Sequence, residues 1–197
     1  MINESFEKIK WYDNVITNLE CQEIHKHCLK TSNWGVQTSL SKLNLDGNDQ
    51  TLFWHFNFDF DNPIIQNITK KIKKIIGENY SIDRCYVNGQ TTLQEGNVHF
   101  DANPTSPKEK FYTFLIYINP KWNITWGGCT VFLNQYISLD GDIKFFNKQN
   151  RVECIRYSPQ PSCGLFFPSN YLHYAEAPSK HFSGIRMTLA FKLVRLD

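Results

Sequence analysis

The stretch GIRMTLAFKLV, residues 184–194, decides how the rest of the chain is read. From Arg186 onward it alternates, so Arg186, Thr188, Ala190 and Lys192 fall on one face of a strand. The small residues on that face are what the wall of an interior pocket needs. The same pattern runs upstream from residue 81, in SIDRCYVNG (81–89), EKFYTFLIYIN (109–119), GGCTVFLNQYISL (127–139), DIKFFN (142–147), RVECIRYSP (151–159) and CGLFFP (163–168). These short apolar or alternating runs are divided by Gly, Pro, Asn and Asp. Seven or eight such strands predict a mainly β sandwich or barrel with N-terminal helices. At 197 residues a single domain over 1–197 is expected, with a helical support over about 1–80 and the β core over about 81–197.

The support is legible in three stretches. VITNLECQEIHKHCLK (15–30) opens on Thr17 with Glu20 three residues later, a capping-box signature, and places Cys21, Ile24 and Cys28 on one helical face. Cys21, His25 and Cys28 lack a fourth ligand, so a packed amphipathic helix is the better reading than a soft-metal site. TLFWHFNFDFDNP (51–63) sets Phe53, His55, Asn57 and Asp59 against Trp54, Phe56, Phe58 and Phe60, a strand with one buried aromatic face. His55 and Asp59 form a rival metal pair on its polar face. NPIIQNITKKIKKIIGENY (62–80) is a second amphipathic helix, with Ile64, Ile65, Ile68, Ile72, Ile75 and Ile76 inward and Gly77 placed to stop it.

Composition excludes several function classes. With 21 Lys+Arg against 19 Asp+Glu, the net charge of +2 points to neither nucleic acid nor an anionic membrane. No stretch is long enough to span a bilayer, and the N-terminus has no signal-type apolar core. The six cysteines form no Cys-x-x-Cys pair and read as reduced thiols of a cytoplasmic protein.

The chemistry begins at GNVHFDANP (96–104), where His99 and Asp101 stand two apart. His-x-Asp alone is a weak signal, since both residues are frequent in turns. His173, just after the strand GLFF, is the preferred third partner, and His181 is the alternative. Two His and one carboxylate on one face of a metal make the facial triad of non-haem Fe(II) oxygenases, with three coordination positions left open.

This order of residues resembles the Fe(II)/2-oxoglutarate-dependent dioxygenases, which fold as a double-stranded β-helix, or jelly roll. The prolyl 4-hydroxylase-like branch is the closer likeness. YINPKWNITWGGCTVF (117–132), PSCGLFFPSNYLHYAEAP (161–178), the closing strand and the opening WYDNVITNLECQEI (11–24) all look like its segments. The resemblance implies that His99, Asp101 and His173 bind Fe(II), and that Arg186 pairs with the distal carboxylate of 2-oxoglutarate. Tyr117 would hydrogen-bond the same carboxylate, and Tyr86 would lie near the co-substrate. Many collagen-type members carry Lys where this chain offers Arg186, so Lys180 and Lys192 are the alternatives at that position.

The implied reaction consumes O2 and 2-oxoglutarate, releases succinate and CO2, and is supported by ascorbate. The implied substrate is a prolyl residue in a peptide or protein, with Trp122 and Trp126 stacking on its ring. Halogenating relatives lack the triad carboxylate, so Asp101 implies hydroxylation. Two alternatives stand beside this reading. One is an AlkB-like nucleic-acid demethylase, faintly echoed in RMTLAFK but disfavoured by the absence of a basic stripe. The other is a jelly-roll binding module without catalysis.

Overall fold

A computed structural model describes residues 6–40, 50–101, 110–138, 140, 142–146 and 151–196. In chain order its elements are β1 (Lys10–Tyr12), α1 (Asn18–Lys30), β2 (Gly35–Leu40), β3 (Gln50–Asn57), α2 (Pro63–Ile76), β4 (Tyr80–Gln90), β5 (Phe111–Tyr117) and β6 (Thr130–Ile137). They continue with β7 (Ile143–Phe145), β8 (Cys154–Tyr157), β9 (Gly164–Pro168), β10 (Tyr171–Ala175) and β11 (Arg186–Arg195).

The alternating stretch becomes β11, the middle strand of a seven-stranded antiparallel sheet ordered β1-β9-β5-β11-β4-β3-β2. Met187, Leu189, Phe191 and Leu193 are buried on one face, against α1 and α2. Arg186, Thr188, Ala190 and Lys192 are buried on the other, which turns toward a smaller sheet of β10, β6 and β7 with β8 also paired to β6. Two facing antiparallel sheets with helices on the outer face of the larger one form a jelly roll with an N-terminal support.

Residues 1–80 contribute more than helices. β1 pairs with β9 at one edge of the large sheet, while β3 and β2 extend it beyond β4 at the other. Strand β3 ends at Asn57, so Phe60 lies past it and is 43% exposed, outside the aromatic face that alternation assigns to it. Phe56 and Phe58 keep that face buried. Of the 96–104 stretch, residues 102–104 lie outside the described residues. No helix among the described residues is long and apolar enough to cross a membrane.

Both helices begin and end where their residues dictate. Asn62 caps α2, with its side chain accepting from the Ile64 N–H, and Gly77 ends it at φ 93°, a conformation that favours glycine. Ile65, Ile68 and Ile72 point from α2 into the core beside Cys21, Ile24 and Cys28 of α1. Replacing fully buried Ile68 by Ala is expected to cost about 2–5 kcal/mol, read as a lower chemical-denaturation midpoint.

Glu20 ties the two helices together. Its carboxylate accepts from the Thr17 N–H at 2.6 Å, from Asn67 Nδ2 at 2.6 Å and from Lys71 Nζ at 2.6 Å. Burial raises the Glu20 carboxyl, but Lys71, Thr17 and Asn67 outweigh it and hold it at about 2. A depressed carboxyl stabilises the fold above its ordinary value of 4.5, and that contribution disappears as pH falls toward about 2. The stability gap between the native chain and Glu20→Gln should therefore shrink across that window, as measured by denaturation at stepped pH.

Candidate active site

One backbone pairing joins two histidines that stand far apart in the chain. The His99 N–H donates to the His173 carbonyl at 2.9 Å, and the His173 N–H returns the bond at 2.9 Å. They are therefore directly opposed across an antiparallel pair, with ring centroids 4.4 Å apart. The segment continues extended, its Asp101 N–H donating to the Ser169 carbonyl at 2.8 Å. In extended backbone, residues two apart share a side, so Asp101 joins both rings. His173 belongs to a strand, β10, rather than to a loop after one.

The ring hydrogens of these histidines are committed. Each Nδ1 faces a backbone carbonyl, Asn97 O at 2.7 Å for His99 and Tyr171 O at 2.9 Å for His173. A carbonyl can only accept, so Nδ1 carries the hydrogen and Nε2 is left as a lone pair in the neutral ring. Burial pushes His173 down to about 3, so it stays neutral at physiological pH. His99 Nε2 then lies 3.7 Å from Asp101 Oδ1, and His173 Nε2 lies 3.5 Å from Oδ2. These separations are too long for hydrogen bonds and set lone pair against lone pair. Such a donor set fits a divalent cation of the Fe(II) type, and it is the one such group found among the described residues. Cys21 and Cys28 pack in the core, and His25 joins them in no such group.

Asp101 has a second partner in Lys192, whose Nζ forms an ion pair with Oδ2. Thr113 Oγ1 donates to the same oxygen at 2.8 Å and accepts from Lys192 Nζ at 3.0 Å. Burial alone would raise the Asp101 carboxyl, but the Lys192 ammonium beside it holds it well below the usual range. Burial likewise works against Lys192, and Asp101 beside it keeps it above its ordinary value. Occupation of Oδ2 leaves Oδ1 as the freer oxygen, on the side of His99.

Arg186 marks the other end of the same cavity. It is 1% exposed, and its guanidinium donates to Gly128 O at 2.6 Å, Gln90 Oε1 at 2.9 Å and Thr130 Oγ1 at 3.1 Å. All three acceptors are neutral, and no carboxylate among the described residues pairs with it. A buried cation without an anion is costly, and this arrangement is able to accept a carboxylate. Gly127 and Gly128 turn the chain at φ 67° and 71°. A Cβ at Gly128 would sit 3.0 Å from Arg186 Cδ, so the Gly-Gly pair is what lets the guanidinium reach the backbone.

The remaining sequence candidates separate clearly. Tyr117 is fully buried behind the cavity wall and donates to Thr130 Oγ1 at 2.9 Å, so Thr130 stands between it and the cavity. Tyr86 lines the cavity near its Lys192 end, and the residue opposite Arg186 in the sheet is Gln90. Lys180 and His181 are exposed and line no part of it. Trp122 and Trp126 also stand outside the wall, where they pack on Phe182 at 4.7 and 4.9 Å and anchor the loop carrying Gly127-Gly128. His55 lines the cavity, but it meets Asn88 and Asn57 instead of Asp59. Gln90 and Thr130 are the residues sequence reading missed. Gln90 shares its strand face with Tyr86 and Asn88, an every-second-residue pattern that points to it.

The cavity holds about 330 Å³, large enough for small ligands. Thr188 and Ala190 keep its floor low between the two ends, while Phe167 and Leu115 supply apolar wall.

No family model matches this chain, and no curated protein does. Solved structures do match in fold. A viral collagen prolyl hydroxylase from Paramecium bursaria Chlorella virus-1, in complex with 2-oxoglutarate, aligns over 97% of this chain and 97% of its own, at 14% identity and TM-score 0.59. A Trichoplax adhaerens prolyl hydroxylase in complex with a hypoxia-inducible-factor peptide aligns over 95% and 84%, at 15% identity and TM-score 0.65. A non-haem α-ketoglutarate-dependent carbocyclase of nogalamycin biosynthesis aligns over 95% and 79%, at 10% identity and TM-score 0.69. At these identities the likeness is one of fold: the chain has the jelly roll of the 2-oxoglutarate–Fe(II) oxygenases.

Removing Lys192 should expose its role. Lys192→Met leaves Asp101 buried without its cation, and the metal-free protein should lose about 3–5 kcal/mol of stability. Added Co(II) should restore much of that loss, as thermal denaturation with and without the ion will read.

Proposed function

We propose that the chain is an Fe(II)- and 2-oxoglutarate-dependent oxygenase that hydroxylates a prolyl residue in a peptide or protein. One observation carries the reading. A two-imidazole, one-carboxylate donor set and a buried guanidinium that pairs with no carboxylate among the described residues face the same cavity. Thr130, which Arg186 contacts, pairs with Ala175, two residues along β10 from His173 and about 7 Å of strand away. That separation suits a short dicarboxylate bridging the two ends.

His99, Asp101 and His173 would hold the metal through Nε2, a carboxylate oxygen and Nε2. When bound, Fe(II) supplies oxygen activation and 2-oxoglutarate the reducing electrons, leaving as succinate and CO2. Arg186 binds the distal carboxylate with the two N–H groups that its protein acceptors leave over, in a charge-assisted fork. Thr130 already accepts from Arg186 and Tyr117, so its own hydroxyl hydrogen is free for that carboxylate. Tyr117 thus acts on the co-substrate through Thr130. Lys192 and Thr113 hold Asp101 in one orientation, and Phe167 and Leu115 keep water from the reacting end.

The prolyl assignment draws on prolyl hydroxylases whose fold this chain shares, one of them peptide-bound. Nucleic acid is the weaker reading. Arg84 is the only exposed cation among the described lining residues, well short of a phosphate-tracking stripe.

Proline peptides incubated with Fe(II), 2-oxoglutarate and ascorbate should gain one oxygen by mass spectrometry and release succinate. His99→Ala and Asp101→Ala should abolish turnover while circular dichroism stays unchanged. Arg186→Lys should raise the 2-oxoglutarate requirement about ten-fold or more, because the fork is lost, whereas Lys180→Ala should leave it unchanged. An unchanged requirement in Arg186→Lys, or a native protein that binds no Fe(II), would overturn the reading.

A further inference from the structure

We infer that the prime substrate itself carries a carboxylate, read at the cavity mouth by Arg84 together with Asn57 and Asn88. The inference rests on the oxygenase reading and concerns the wall that reading leaves unused. Strands β3 and β4 lie side by side, with His55 opposite Asn88 and Asn57 opposite Tyr86. His55, Asn57, Arg84 and Asn88 all line the cavity, yet none of them hydrogen-bonds to the donor set or to the Arg186 cluster.

This wall offers hydrogens. The His55 ring sits between two amides, with Nδ1 3.0 Å from Asn88 Oδ1 and Nε2 3.3 Å from Asn57 Oδ1. A neutral ring donates from one nitrogen, so at least one amide keeps its oxygen on the ring and leaves its NH2 for the cavity. The other amide can turn its NH2 to the lone pair of the ring, and the NH2 left over makes no hydrogen bond to the described residues. Arg84 adds its guanidinium, which lies over the Tyr86 ring at 5.8 Å and so is held at the mouth.

Charge points the same way. Asp101 is the only carboxylate among the described lining residues, and Lys192 already neutralises it. A bound 2-oxoglutarate takes Arg186, which leaves Arg84 as the lining cation that pairs with no carboxylate among the described residues. A carboxylate accepts a guanidinium fork and an amide NH2 at once, whereas a bare prolyl ring offers this wall nothing to bind. The carboxylate comes from an acidic residue flanking the proline or from a C-terminus next to it.

Calorimetry on the Ni(II)-loaded protein with 2-oxoglutarate present reads binding without turnover. The probes are blocked proline peptides bearing a flanking Asp, the same peptides bearing Asn, and a peptide ending beside proline either in a free carboxylate or in an amide. One of the two carboxylate forms should bind about ten-fold tighter than its neutral twin, and which one does identifies the source. Arg84→Gln should abolish that preference and Arg84→Lys should keep part of it, both with unaltered 2-oxoglutarate affinity. Equal binding of charged and neutral twins overturns the inference, as does a preference that survives Arg84→Gln. No binding by any peptide, or tighter binding of a single-stranded oligonucleotide, overturns it as well. Failure of 2-oxoglutarate itself to bind would strike the oxygenase reading instead.

Discussion

β11 must bury both of its faces, and the molecule is arranged around that requirement. Its outward side chains, Met187, Leu189, Phe191 and Leu193, are met by two helices whose apolar stripes would otherwise face water. Its inward side chains include two cations, which cannot be buried against apolar partners without a large penalty. The second sheet therefore encloses a polar cavity instead of a dry core on that side. Each cation has an arrangement that limits the cost. Lys192 meets Asp101, and Arg186 meets three neutral oxygens.

Those two solutions differ in kind. The Lys192–Asp101 pair is internally compensated and orients a carboxylate next to two imidazoles. Arg186 is solvated by dipoles, and no carboxylate among the described residues neutralises it. The protein carries this uncompensated charge at the expense of stability, as sites that bind anions commonly do. The Gly127-Gly128 turn, braced by Trp122, Trp126 and Phe182, keeps a backbone carbonyl at the guanidinium. The loop whose tryptophans the sequence reading assigned to substrate stacking braces the Arg186 end of the cavity.

Much of the fold was legible because it follows from local chemistry. Thr17 and Glu20 announce a helix start, Gly77 a helix stop, and alternation in β3, β4 and β11 a sheet with two unlike faces. β2 and β10 were not read as strands. In β10 the short stretch of Tyr171, Leu172, His173 and Tyr174 lacks a sustained alternation, and its pairing with β6 comes from residues far away in the chain. Within the site, His99 and Asp101 were legible as a spacing of two, and Arg186 as a cation on a small-residue face. The position of Tyr117 behind Thr130 was not, because a strand face does not reveal which neighbour overlies it.

By itself, the sequence determined the periodicities, the caps, the turn glycines and an inventory of two histidines, a carboxylate and three cations able to do chemistry. These are properties of residues within a few positions of one another, where backbone geometry dictates who shares a face. Tertiary structure alone decided that His99 and His173 would be cross-strand partners, and that Lys192 would neutralise Asp101 while Arg186 met three neutral acceptors. It also set Arg84, Asn57 and Asn88 on a wall of their own. Those outcomes depend on strand register and sheet order, which join segments separated by most of the chain, and no local pattern encodes them.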